Sequence, residues 1–178
     1  MTWSQFGAAM DMLGNAIAAC PENLWSEGSR GVAGFWSVAH HTLFWLDFYA
    51  SVAGAEDFGP PPPFTRSELD ESAQPDRVYR PAELLDYLAY CRRRCRTTVL
   101  GMTDARAAEP CPGDRTRYGA AWRDLEAELA YVARRGLSHG ELLLYNLRHV
   151  QHHAAQLNLL LRQATGAAAP RWVSRAAE

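Results

Sequence analysis

The chain has 178 residues, 48% of them hydrophobic and 21% charged, with a net charge of -2. That length suffices for one domain with a substantial core, and the composition is that of a globule rather than a disordered chain. A near-neutral balance lacks the basic surface that a nucleic-acid partner requires.

Four cysteines in a chain of this size do not form a disulfide framework. The first residues, Met1 to Phe6, lack a basic segment followed by an apolar run, so no signal peptide is expected. No apolar stretch reaches the length of a membrane span. The expectation is a cytoplasmic protein with no membrane partner.

In chain order, Phe6, Met10, Leu13 and Ile17 form an apolar stripe that predicts a helix over 3–20, stopped by Pro21. Residues 34–53 are apolar on almost every side, as a central helix would be, with Gly54 as its stop. Residues 54–80, with Pro60 to Pro63, read as a long surface loop, either a lid or a plain crossover. Pro81 suits the first turn of a helix running to about 102. Its apolar side carries Leu84, Leu85, Leu88, Cys91 and Cys95, while Arg92, Arg93 and Arg94 mostly face water. Cys91 and Cys95 read as small buried hydrophobes rather than ligands.

Residues 103–116 read as loop, and 118–135 as a peripheral or broken helix ended by Gly136. Ser138 and Glu141 form a capping box for a last helix to about 165, with Gly166 as its stop. His139, in the capping segment, is expected to be solvated, and the tail to dock through Trp172. The sum is an all-α, four-helix bundle with long crossover loops, one domain over 1–178.

The chemistry concentrates in histidines. His149 and His153 are one helical turn apart and share a face with Leu142 and Leu160, at the edge of the buried arc. His152 is rotated away. Asn146 and Gln156 flank the pair and could orient the rings. A second pair, His40 and His41, lies in the apolar second helix, where the helical wheel only mildly favours His41 as the inward residue. Buried imidazoles without partners are costly, so three facing inward suggest a shared ligand. Three imidazoles from two helices would bind a divalent transition metal and leave positions open for water or substrate. No acidic residue next to the last-helix pair stands out as a general base; Asp47 is a candidate, though its wheel position differs from that of His41. The bland alternative keeps the same bundle with no metal, the histidines bonding to Asn146, Gln156 or each other.

The segments Phe35-Trp36-Ser37-Val38-Ala39-His40-His41-Thr42-Leu43-Phe44-Trp45-Leu46-Asp47 and Leu142-Leu143-Leu144-Tyr145-Asn146-Leu147-Arg148-His149-Val150-Gln151-His152-His153 resemble the DinB/YfiT-like superfamily of helical-bundle metalloenzymes. With helix order and length, the resemblance covers most of the chain and is poorest over 103–137. It implies a metal held by His41, which precedes Thr-Leu-Phe, together with His149 and His153. It further implies nickel or zinc, a homodimer, and a small-molecule substrate, with a low-molecular-weight thiol as co-substrate in some relatives. Those relatives include thiol-dependent S-transferases and a maleylpyruvate isomerase. The expected function is therefore metal-dependent thiol S-transfer or hydrolysis of a small molecule. The alternative is a non-catalytic metal-binding or stress-related protein.

Overall fold

The computed structural model describes residues 3–26, 34–69, 75, 77–111, 126–166 and 172–176. Its regular structure is helical, with no strand among the described residues beyond an isolated bridge between Pro110 and Ser138. The helices are α1 (Trp3–Ala19), α2 (Glu22–Trp25), α3 (Phe35–Gly54), α4 (Pro81–Gly101), α5 (Asp104–Ala108), α6 (Glu126–Ala133) and α7 (His139–Thr165). None is long and apolar enough to cross a membrane.

The helix ends follow local chemistry. Pro81 opens α4, where its missing N–H is no loss. The Ser138 hydroxyl accepts from Glu141 N, and the Glu141 carboxylate accepts from Ser138 N at 2.8 Å, closing the expected capping box on α7. Gly166 ends α7 at φ 64, a left-handed conformation that glycine adopts freely. Gly54 plays a different part from the one expected. It is the last residue of α3, and Ala55 takes the left-handed turn at φ 54. A Cβ on Gly54 would lie 3.1 Å from Thr98 Oγ1, so this glycine serves the approach of α4 to α3. The expected 103–116 loop holds a short helix, α5, whose N-terminus is capped by Thr103. Of the helix expected over 118–135, α6 supplies the described part, and residues 118–125 lie outside the described residues.

The four long helices pack in a closed ring of contacts: α1 against α4 and α7, and α3 against the same two. The α1 stripe of Phe6, Met10, Leu13 and Ile17 is fully buried and meets Leu43, Phe44 and Phe48 of α3, Leu84 and Tyr87 of α4, and Leu142, Val150 and Leu157 of α7 in one apolar cluster. Spacings of three and four residues put each set on one side of its helix.

Three sequence expectations fail here for packing reasons. Residues 54–80 are not simply a surface loop, because Phe58, Phe64, Leu69 and Tyr79 are buried. A 3-10 turn at Arg66–Leu69 sets Glu68 against α3, where its carboxylate meets His40 Nε2 at 3.0 Å and accepts from the Tyr79 hydroxyl at 2.9 Å. His139 is fully buried rather than solvated, and its Nδ1 donates to Ala53 O at 3.0 Å, which ties the start of α7 to the end of α3. Trp172 is 69% exposed and does not dock the tail. Ala176 does so instead, bonding Ser4 O and sitting over Gly7, where a Cβ would fall 2.6 Å from the Ala176 methyl.

The arginine run also divides. Arg93 is exposed, but Arg92 pairs with Asp11 and Arg94 reaches Asp47 at 2.8 Å. Asp47 is fully buried, and Tyr87 also donates to it at 3.0 Å. Burial raises its pKa, and Arg94 and Tyr87 offset part of that rise. Truncating one partner of such a pair strands the other charge. Arg94→Ala is expected to destabilise the fold by about 3 kcal/mol, read as a lowered urea midpoint. An unchanged midpoint would show that Asp47 does not need its partner.

Candidate metal centre

The site forms where α3 crosses α7. On α3, His40 and His41 point to different sides, as consecutive helical residues must. His40, 6% exposed, turns toward the 55–80 segment and is engaged by Glu68, stacking on Tyr79 with ring centroids 5.6 Å apart. His41 turns toward α7. There the rings of His41 and His149 have centroids 5.4 Å apart, those of His41 and His153 5.0 Å, and those of His149 and His153 4.5 Å. Among the described residues, these three form the set of His, Cys, Asp and Glu side chains able to hold an ion, with one nitrogen from each within 4.8 Å of the others. His152 is exposed.

The nitrogen geometry fits a metal better than a hydrogen bond. His149 Nε2 and His41 Nε2 are 3.4 Å apart, longer than the usual 2.7–3.2 Å range of a hydrogen bond. A tetrahedral ion at about 2.0–2.1 Å from each nitrogen would separate them by about 3.3 Å. His149 Nδ1 is buried with no hydrogen-bond partner, so this ring is poorly satisfied by the protein alone. His153 Nδ1 donates to Gln156 Oε1 at 2.7 Å, which leaves the lone pair on Nε2, as ligation requires.

Of the two expected orienting residues, Gln156 has that role, while Asn146 donates instead to Leu46 O. Asp47 does not serve the histidines. Its carboxylate is held by Arg94 and Tyr87 of α4, whereas the histidines meet α7.

Electrostatics keep the His41 and His149 rings neutral. Burial pushes His149 down to about 3 and His41 down to about 4, and each is lowered further by neighbouring histidines. Neutral imidazole is the form that binds a metal.

A cleft of about 370 Å³ opens onto His41 and His149. Its walls carry Trp45, Tyr49, Tyr131 and Tyr145, with Arg134 and Glu128 also on its lining. Sequence reasoning did not single out these α6 and α7 residues. Tyr145 could have been found, because it lies one turn before His149 on the same face. Tyr131 and Arg134 could not, because nothing local says where α6 sits.

These shifts carry a sign. An unfolded histidine titrates near 6.5. Between that value and about 3 to 4, the unfolded chain binds protons that the folded chain refuses at His41 and His149. Their contribution to stability is therefore complete above pH 6.5 and lost as pH falls, at up to about 1.4 kcal/mol per unit for each ring. In the presence of a chelator, urea midpoints should fall between pH 6.5 and 4.5, and fall less in the double variant His41→Gln, His149→Gln. Equal slopes in the two proteins would contradict the assignment.

A family model described as the DinB superfamily matches residues 5–157. No significant match was found among curated proteins or among solved structures. The match spans both histidine-bearing helices and all four long helices but the last turns of α7. The chain belongs to the DinB superfamily.

Proposed function

We propose that this protein is a divalent-metal-dependent enzyme acting on a small molecule, with His41, His149 and His153 as the ligands. The observation that carries the reading is the convergence of three imidazoles, two of which, His41 and His149, line a cleft. A structural ion is usually closed off by four protein ligands, whereas three ligands beside a cleft leave a position for substrate. In the same reading the four long helices form a four-helix bundle of one domain, and the protein is a cytoplasmic homodimer with nickel or zinc at the site.

When bound, such an ion supplies Lewis-acid polarisation or stabilises a thiolate or hydroxide nucleophile. The chain's own residues then divide the remaining work. Gln156 fixes the tautomer and orientation of His153. The aromatic walls limit water and hold an apolar portion of the substrate. With Asp47 committed to Arg94, Glu128 is the carboxylate on the cleft lining that can accept a proton. Thiol S-transfer and hydrolysis of a small molecule are both compatible with this arrangement. The second reading is a non-catalytic metal-binding or stress-related protein, favoured by the tight contact between the rings.

Protein purified without a metal-affinity tag should contain about one equivalent of a transition metal by elemental analysis. His149→Ala should lose it while keeping its helical circular dichroism, and Gln156→Ala should bind it about 10-fold more weakly or worse. Metal-dependent turnover of a thiol with an electrophile would support transfer. Unfolding on chelation with no turnover would favour the non-catalytic reading. No metal, and none taken up from added zinc or nickel, would remove the metal reading altogether.

A further inference from the structure

The lining of the cleft says more about the ligand than the histidines do. Four aromatic rings stand around it: Trp45 lies 5.1 Å from Tyr49 and 5.8 Å from Tyr131, and Tyr49 lies 5.3 Å from Tyr145, centroid to centroid. Rings at these separations pack edge-on or tilted and offer flat apolar surface to a planar guest. A volume of about 370 Å³ lies at the low end for ligand pockets, so the guest is small.

An aromatic enclosure can also bind a cation, and here the charges argue against that. The Arg135 guanidinium already lies over Tyr131, 3.4 Å from its centroid, and Arg148 lies 5.7 Å from that of Tyr145. Arg134 is exposed on the lining, and among the described residues no carboxylate pairs with it. Among the described residues, the lining carries one guanidinium, Arg134, and one carboxylate, Glu128, and two further guanidinium groups, of Arg135 and Arg148, lie over its aromatic walls. The local field favours an anion. Arginine presents a planar fork matched to a carboxylate, and Glu128, an acceptor, calls for a donor on the guest.

We propose that this cleft binds a small planar aromatic acid, its ring against Trp45, Tyr49, Tyr131 and Tyr145, its carboxylate on Arg134, and a hydroxyl or amino group toward Glu128. This rests on the reading of the cleft as the place where the small molecule binds. It does not require the ion.

The test is equilibrium titration of 4-hydroxybenzoate, followed by intrinsic tryptophan and tyrosine fluorescence and checked by calorimetry, in zinc-supplemented and in chelator-treated full-length protein. Cyclohexanecarboxylate controls for charge without planarity, and phenol for planarity without charge. Saturable binding of 4-hydroxybenzoate is expected, with both controls about 10-fold weaker or worse. Arg134→Gln, at an exposed position that leaves the fold intact, should weaken 4-hydroxybenzoate about 10-fold or more and leave phenol unchanged. Equal binding of cyclohexanecarboxylate, or no effect of Arg134→Gln, would overturn the proposal. Zinc uptake without saturable binding of 4-hydroxybenzoate would overturn it and spare the metal reading. Arg134-dependent binding in protein that takes up no zinc would uphold it and sink the metal reading.

Discussion

An imidazole shielded from water needs partners for its ring nitrogens, and the packing of α3 against α7 brings three half-buried imidazoles together. His149 is the clearest case: one nitrogen is buried without a partner, and the other faces a second imidazole at a distance too long for a good hydrogen bond. Protonation offers no relief, because burial and the neighbouring histidines disfavour charge on His41 and His149. For His149, an ion that accepts its lone pair beside those of His41 and His153 would supply the missing partner. Much of the local architecture serves to keep these rings near one another.

The two histidines of α3 show how the fold divides its resources. His40 goes to Glu68 and Tyr79, fastening the 55–80 segment against α3. Leu69, one residue beyond Glu68, then helps to line the cleft. His41, the next residue, goes to α7. Asp47 and Arg94 hold α4 to α3, and His139 holds the start of α7 to the end of α3. These polar ties sit on the helix that carries His41, so its angle to α7 is fixed from several sides. Binding sites held this way keep their geometry without help from loops.

The sequence made legible what depends on local periodicity and capping. The α1 stripe, Pro81 at the head of α4, the Ser138–Glu141 box and the Gly166 stop all follow from chemistry within a few residues. The His149 and His153 spacing follows from helical periodicity as well, and the family resemblance separated His41 from His40 where the wheel alone could not. What depends on contacts distant in the chain was not legible. Asp47 offers no local sign that Arg94, 47 residues on, will engage it. Glu68 is 28 residues from His40, and Ala53 is 86 from His139. Trp172, the expected anchor of the tail, is exposed, whereas Ala176 bonds Ser4 O and packs over Gly7. The walls that α6 and the turn after it supply, Glu128, Tyr131 and Arg134, belong to this class too, since α6 has no motif that fixes its place.

The proposed site has His41, His149 and His153 holding one ion with a position left open. The most direct measurement is X-ray absorption at the metal edge of zinc-reconstituted protein. The account predicts three imidazole nitrogens at about 2.0–2.1 Å with at least one further light-atom ligand, and loss of the imidazole signature in His149→Ala. A shell containing sulfur, or an oxygen shell that His149→Ala leaves unchanged, would contradict it.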